Sequence, residues 1–187
     1  AMAPAKPSPR LTHFAMFVED LQKMQDFYTG VMGLTVTDQG PFPDPDVPVD
    51  MVFMSNDPAE HHQFVLVTGR SDDVPFALNQ QLSFVVEDLD ELRCVRDAAK
   101  GADAGEIWQR SHGNAWSVYF HDPEQNLIEV YVHTPWHVPQ PHRDSLDLDA
   151  SNDEIYRETE AICRSDPGFM TAAERETEMA GMMGTGN

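Results

Sequence analysis

Four side chains that could bind a metal ion or move a proton lie in segments that read as β-strands. They are His13 in "LTHFAMFV", His62 in "HHQFVLVTG", Gln81 in "QLSFVVED" and Glu129 in "NLIEVYVH". Side chains alternate between the two faces of a strand. This alternation predicts that His13 shares a face with Ala15 and Phe17, and that Gln81 shares a face with Ser83 and Val85. It also predicts that Glu129 lies with Tyr131, and that His62 lies with Phe64 and Leu66.

Glu129 is the most informative of the four. It stands in an otherwise apolar strand, where an ionised carboxylate costs several kcal/mol unless a cation compensates it. We therefore expect Glu129 to bind a metal ion in preference to forming a salt bridge. A single histidine on a strand is more often an ordinary hydrogen-bonded residue.

An internal repeat organises these candidates. Residues 11–24, "LTHFAMFVEDLQKM", align with residues 79–92, "NQQLSFVVEDLDEL", and the alignment places His13 opposite Gln81. Each copy continues as strand, helix and three further strands, over residues 11–69 and 79–133. Two βαβββ modules predict an α+β fold in which two small sheets curl around a cavity.

The segments outside the repeat predict less. Residues 1–10 read as a flexible arm, and the repeat domain spans residues 11–135. Residues 136–187 combine a Pro-rich connector with a helical acidic tail, which we expect to pack on the domain or on a partner chain. Two cysteines, Cys94 and Cys163, are too few for a disulfide framework. Cys94 lies in a predicted helix, and we expect its side chain to pack in the protein core.

Composition limits the partners. The chain has 32 acidic and 12 basic residues and a formal net charge of −20, which argues against nucleic acid and anionic membranes. It contains no apolar run of the roughly 18 residues that a transmembrane helix needs. A cytoplasmic location is the expectation.

Three motifs together resemble the type I extradiol ring-cleavage dioxygenases of the vicinal oxygen chelate superfamily. The stretch "HGNAWSVYFHDPEQNLIE", residues 112–129, is similar to their signature. The stretch "EHHQFVLV", residues 60–67, looks like their paired-histidine strand, and residues 11–34 look like their metal-binding first strand and helix. The resemblance implies the vicinal oxygen chelate fold, with a metal-binding cavity and Fe(II), or in some cases Mn(II) or another divalent ion.

The resemblance also implies roles for individual residues. The first metal ligand falls on His13 and the glutamate ligand on Glu129. The acid–base histidine falls on His62, and the residues that face the substrate fall on the members of the signature, namely His112, Asn114 and Tyr119. Phe17, Phe64 and Trp116 are candidates for the apolar wall of the pocket, and core packing explains them equally well.

Gln81 departs from the family pattern, which has a second metal histidine at this position. A glutamine oxygen is an uncharged, harder and weaker donor than an imidazole nitrogen, so affinity for Fe(II) should fall. Three interpretations stay open. Gln81 is a ligand, or His62 turns inward to give a triad of His13, His62 and Glu129, or the metal site has decayed.

The resemblance predicts an extradiol dioxygenase that cleaves a small catechol-like aromatic with O₂, in aromatic compound catabolism. One alternative is a non-redox, glyoxalase-like isomerase, epimerase or lyase that uses the metal as a Lewis acid. Another is a metal-free module that binds a small molecule. A homo-oligomer is expected from the same resemblance.

Overall fold

The computed structural model describes residues 13–42, 46, 48–58, 60–71, 81–102, 104–140 and 142–183. The predicted N-terminal arm, residues 1–10, lies outside these ranges. The chain divides into two compact units, Ala1–Pro75 and Phe76–Asn187. Each unit contains one copy of the internal repeat.

The first unit is a βαβββ module. Its elements are β1 (Phe14–Val18), α1 (Leu21–Gly30), β2 (Thr35–Pro41), β3 (Asp50–Ser55) and β4 (Phe64–Thr68). The sheet has the order β1-β4-β3-β2, in which β1 runs parallel to β4 and the other neighbours are antiparallel.

The second unit repeats this arrangement and extends it. Its elements are β5 (Leu82–Val85), α2 (Leu89–Gly101), β6 (Trp108–Ser111), β7 (Ala115–His121) and β8 (Leu127–His133). The sheet order is β10-β6-β7-β8-β5, again with one parallel pair, β5 and β8. The prediction of an α+β vicinal oxygen chelate fold built from two βαβββ modules is confirmed.

The repeated "Glu-Asp-Leu" has a local physical role. Asp20 and Asp88 are the N-caps of α1 and α2, and their carboxylates accept hydrogen bonds from the backbone N–H groups of Lys23 and Glu91 at 3.0 and 2.8 Å. Such caps satisfy backbone donors that the first helical turn leaves free. The repeat therefore marks where each strand ends and each helix begins.

Each sheet buries one face against a helix. In the first unit α1 packs on β3 and β4, and the ring of Tyr28 packs at a tilt against that of Phe64, at a centroid distance of 4.5 Å. In the second unit α2 packs on β7 and β8, and Trp116 is fully buried. Phe64 and Trp116 are thus core residues, and their candidacy for a pocket wall is wrong. Only Phe17, 61% exposed, belongs to an open face.

The C-terminal arm packs on the second unit. It comprises β9 (Trp136–His137), β10 (Asp144–Ser145), α3 (Asn152–Ser165), β11 (Met170–Thr171) and α4 (Ala172–Met183). Trp116 Nε1 donates to Thr159 Oγ1 at 2.8 Å, and the Arg93 guanidinium donates to the carbonyls of Leu148 and Ala150. Of the two expected locations for the arm, packing on its own domain is therefore observed.

Two further predictions concern single features. Cys163 is buried, but Cys94 is exposed on α2, so the expectation that Cys94 fills the core is wrong. Among the helices of the described ranges, none is both long and apolar enough to cross a membrane.

Candidate metal-binding and catalytic site

Glu129 is the centre of a polar cluster on the open face of the second sheet. It is only 8% exposed. Gln81 Nε2 and Ser83 Oγ donate to its Oε2 at 2.8 and 2.6 Å, and the Tyr119 hydroxyl donates to its Oε1 at 2.5 Å. The strand register explains the cluster, because Ser83 on β5 and Tyr119 on β7 are the direct cross-strand partners of Glu129 on β8.

Tyr119 connects Glu129 to His112. The Tyr119 oxygen lies 2.9 Å from His112 Nε2, and His112 Nδ1 lies 2.8 Å from the carbonyl oxygen of His142. A carbonyl oxygen only accepts, so Nδ1 carries a proton. Since the Tyr119 proton is directed to Glu129, the contact with Nε2 is a hydrogen bond when that nitrogen is also protonated. The three residues therefore form a continuous chain of polar contacts from His112 to Glu129.

A tight turn holds His112 and Asn114 in place. Gly113, between them, has a φ of +73°, and a Cβ added there would lie 2.4 Å from Val138 Cγ2. Thr134 Oγ1 donates to the Gly113 carbonyl at 2.5 Å. Only glycine combines the left-handed backbone with the space that this close packing leaves.

Two cavities open on this face of the second unit. One, of about 420 Å³, is lined by residues that include Gln81, His112 and Tyr119. The other, of about 410 Å³, is lined by residues that include Asn114, Glu129, His112 and Tyr119. His112 and Tyr119 line both cavities, so a molecule in either cavity would meet the Tyr119–His112 pair.

The remaining predicted residues lie together in the first unit. The rings of His13 and His62 are 4.6 Å apart, and His62 also lies 5.2 Å from the ring of Phe53. Phe53 pairs with Val65, whereas Phe64 and Leu66 face the helix side. The expectation that His62 shares a face with Phe64 and Leu66 is therefore wrong, because β4 begins only at Phe64 and strand alternation does not extend to residue 62.

Two of the predicted site residues have perturbed pKa values. Burial lowers the pKa of His62, and the neighbouring His13 and His61 lower it further, so the neutral imidazole is favoured. Burial raises the pKa of Tyr119, and the hydrogen bond to Glu129 adds to this effect. At neutral pH His62 is suited to accept a proton or bind a metal, while Tyr119 keeps its proton.

The polar cluster around Glu129 in the second unit fits a divalent metal ion. The direct partners of the Glu129 carboxylate are the neutral Gln81, Ser83 and Tyr119, which do not balance a buried negative charge. Glu129 and Gln81 can both offer an oxygen atom, and His13 and His62 supply nitrogen donors in the first unit. Within either unit, the described residues do not bring three His, Cys, Asp or Glu side chains together.

Sequence reasoning missed part of the site. It placed Ser83 on the same face as Gln81, but the contact of Ser83 with Glu129 depends on the register of the parallel pair β5–β8, which no local pattern specifies. It also missed the His142 carbonyl that orients His112, because this contact spans 30 residues.

Comparison with models of known protein families identifies the family to which the chain belongs. The family model described as "Glyoxalase/Bleomycin resistance protein/Dioxygenase superfamily" matches residues 10–130. No curated protein matched the chain.

Solved structures show the same fold at low sequence identity. A glyoxylase/bleomycin resistance protein/dioxygenase domain from Frankia sp. EAN1pec is 17% identical, with a TM-score of 0.56 over 68% of this chain and 100% of that one. The fosfomycin resistance protein FosX from Listeria monocytogenes, complexed with Mn(II) and sulfate, is 16% identical, with a TM-score of 0.54 over 68% of this chain and 95% of that one. FosX from Mesorhizobium loti is 18% identical, with a TM-score of 0.52 over 68% and 94%.

Proposed function

Because the chain belongs to the glyoxalase/bleomycin resistance protein/dioxygenase superfamily, we propose that it is a divalent-metal-dependent enzyme whose substrate binds the metal through two adjacent oxygen atoms. The observation that carries the proposal is Glu129. This carboxylate is buried, and its direct partners are neutral donors that leave its charge uncompensated. A divalent cation would supply the missing charge.

The residues that would hold the metal are Glu129, Gln81 and His13, with His62 as the alternative ligand. In the structure the Gln81 amide nitrogen faces Glu129, so rotation of the amide would present its oxygen to the same point. A set rich in oxygen donors shifts the relative preference towards harder ions such as Mn(II). The related fold of FosX from Listeria contains Mn(II).

A bound divalent ion would act as a Lewis acid that stabilises negative charge on the substrate oxygens. The protein's own residues would handle the protons. The Tyr119 hydroxyl and His112 would hydrogen-bond the substrate oxygens, and the Asn114 amide would help to orient them. His62, favoured in its neutral form, would serve as general base.

This arrangement favours a non-redox reaction, such as an isomerisation, epimerisation or elimination next to a carbonyl group. Such chemistry needs charge stabilisation and a base but no change in the oxidation state of the metal. Because Gln81 lies beside Glu129, we favour the non-redox reaction over the dioxygenase reaction that the sequence motifs predict.

Extradiol cleavage of a catechol-like aromatic with Fe(II) and O₂ is the second candidate. It is supported by the signature residues His112, Asn114 and Tyr119, which line one cavity together with Glu129. Both candidates use a small organic substrate, and we expect the enzyme to act as a homo-oligomer.

One experiment separates the candidates. The protein is purified anaerobically, its bound metals are measured, and it is then supplied with Fe(II) or Mn(II) together with 2,3-dihydroxybiphenyl. The favoured candidate predicts Mn(II) binding without oxygen uptake. A yellow ring-cleavage product with stoichiometric oxygen uptake would establish the dioxygenase, and absence of binding by any divalent metal would contradict both in favour of a metal-free binding module.

A further inference from the structure

Two arginines share the cavity of about 420 Å³ on the second sheet. Arg110 lies on β6, and Arg143 immediately precedes β10. The register pairs Ser145 with Arg110, so alternation places Arg143 and Arg110 on the same open face of neighbouring strands. Arg143 is also close enough to Tyr119 for its positive charge to oppose the rise in the pKa of that tyrosine.

Among the described residues, these two guanidinium groups lack the carboxylate partner that the arginines of the helices have. In a chain with 32 acidic residues, neither Arg110 nor Arg143 has a carboxylate within 4.0 Å in the ranges the structure covers. The arginines of α2, α3 and α4 do have one, in the pairs Arg93–Asp90, Arg96–Asp149, Arg157–Glu154, Arg164–Glu160 and Arg175–Glu178. No described carboxylate lines the cavity either.

The remaining wall of the cavity is aromatic and apolar. Trp108 and His121 meet edge to face at a centroid distance of 5.5 Å, and Leu127 extends the apolar surface. Gln81, Tyr119 and His112 also line the cavity, and the first two hydrogen-bond to Glu129. A volume of this size is typical of sites for small organic molecules.

We propose that this cavity binds a small organic acid, with Arg110 and Arg143 holding its carboxylate and Trp108 packing against its hydrocarbon or aromatic part. Arginine presents a fork of donors that matches the two oxygens of a carboxylate. The inference rests on the proposed function only in expecting that the same molecule also carries the two oxygen atoms that would bind the metal.

The test compares two probes of nearly the same shape, the anionic benzoate and the neutral benzamide. They are titrated into the full-length protein treated with EDTA, and binding is followed by calorimetry and by tryptophan fluorescence. We expect benzoate to bind at least about tenfold more tightly than benzamide. The preference should disappear in the double variant Arg110→Gln/Arg143→Gln and persist in Arg157→Gln, which removes a paired arginine from the surface of α3.

Equal affinity for the two probes in the wild-type protein would overturn the proposal, as would a preference that survives the double variant. Thermal unfolding checks that the double variant is folded. If it is not, the single variant Arg143→Gln, at an exposed position, must still reduce the ratio of affinities.

A second pair of probes distinguishes this inference from the proposed function. They are 3,4-dihydroxybenzoate and 3,4-dihydroxybenzamide, measured with and without Mn(II). If the acid binds more tightly than the amide and Mn(II) changes neither affinity, the result would support the acid site and contradict the metal-dependent function. Binding that depends on Mn(II) but is equal for the acid and the amide would do the reverse.

Discussion

The two sheets carry opposite chemistry at corresponding positions. In the first unit one row of cross-strand partners is apolar and consists of Ala15, Val65 and Phe53. In the second unit the corresponding row is polar and consists of Ser83, Glu129 and Tyr119. Both units have the same strand order and the same aspartate-capped helix, so the difference is confined to the open face.

The comparison shows which residues determine the fold and which determine the site. The face under the helix must be apolar in both units, because its burial stabilises the module. The open face is under no such requirement, so one copy of the repeat can hold a carboxylate where the other holds a valine. The proposed metal carboxylate therefore belongs to the second unit, whose open face is built to hold it.

The largest effect is expected when the carboxylate is transferred to the first unit. Val65 is 2% exposed, and its row provides neither Ser83 nor Tyr119 as donors. Val65→Glu should lower the free energy of unfolding by about 4 kcal/mol at neutral pH, measured by urea denaturation. The loss should shrink as the pH falls towards about 4.3, because burial raises the pKa of the introduced carboxyl and its protonated form is better tolerated.

Val65→Leu is the matched control, and its cost should stay below about 1.5 kcal/mol. If Val65→Glu were tolerated equally well, the polar row of the second unit would not be needed to accommodate a carboxylate.

Substitution of Gly113 tests the turn that positions His112 and Asn114. Gly113→Ala combines an unfavourable positive φ with a clash against Val138 and should cost about 3 kcal/mol in the free energy of unfolding. Gly30→Ala, at the end of α1 in the first unit, has no atom within 4 Å of the added methyl group. It should be close to neutral, and equal effects at the two glycines would contradict this account of the turn.

Gln81→His gives the second copy of the repeat a histidine at the position that aligns with His13 in the first copy. If Gln81 lies beside the metal, the new imidazole should raise affinity for Fe(II) by about tenfold relative to Mn(II). Gln22→His, on the exposed surface of α1, is the control. Isothermal titration with each metal measures the ratio, and an unchanged ratio in Gln81→His would place Gln81 outside the metal ligands.

The smallest effect concerns the pH dependence of Tyr119. Its pKa is raised in the folded protein, so above roughly pH 10 the unfolded chain loses a proton that the native state retains. Stability from this source is present below that pH and is lost as the pH rises. The difference in the free energy of unfolding between wild type and Tyr119→Phe should therefore narrow between roughly pH 9 and pH 11. A constant or widening difference would contradict a protonated, buried Tyr119.

The sequence predicted the elements well because their signals are local. Strand alternation, helical spacing and the internal repeat are each readable over a few residues, and both βαβββ modules follow from them. The contact of Ser83 with Glu129 and the pairing of β10 with β6 depend on register between distant segments. Strand alternation puts His62 on the wrong face because β4 begins only at Phe64. Alternation leaves Trp116 open between pocket wall and core, because it cannot say which face of β7 is covered by α3.

The central claim is that Glu129 binds a divalent metal ion. It is tested most directly by adding Mn(II) to the EDTA-treated protein and following the free Mn(II) signal by electron paramagnetic resonance, for the wild type and for Glu129→Gln. The account predicts one bound ion per chain in the wild type and an affinity weakened by more than about 100-fold in the variant. Wild-type protein that leaves all Mn(II) free, or a variant that binds it equally well, would contradict the claim.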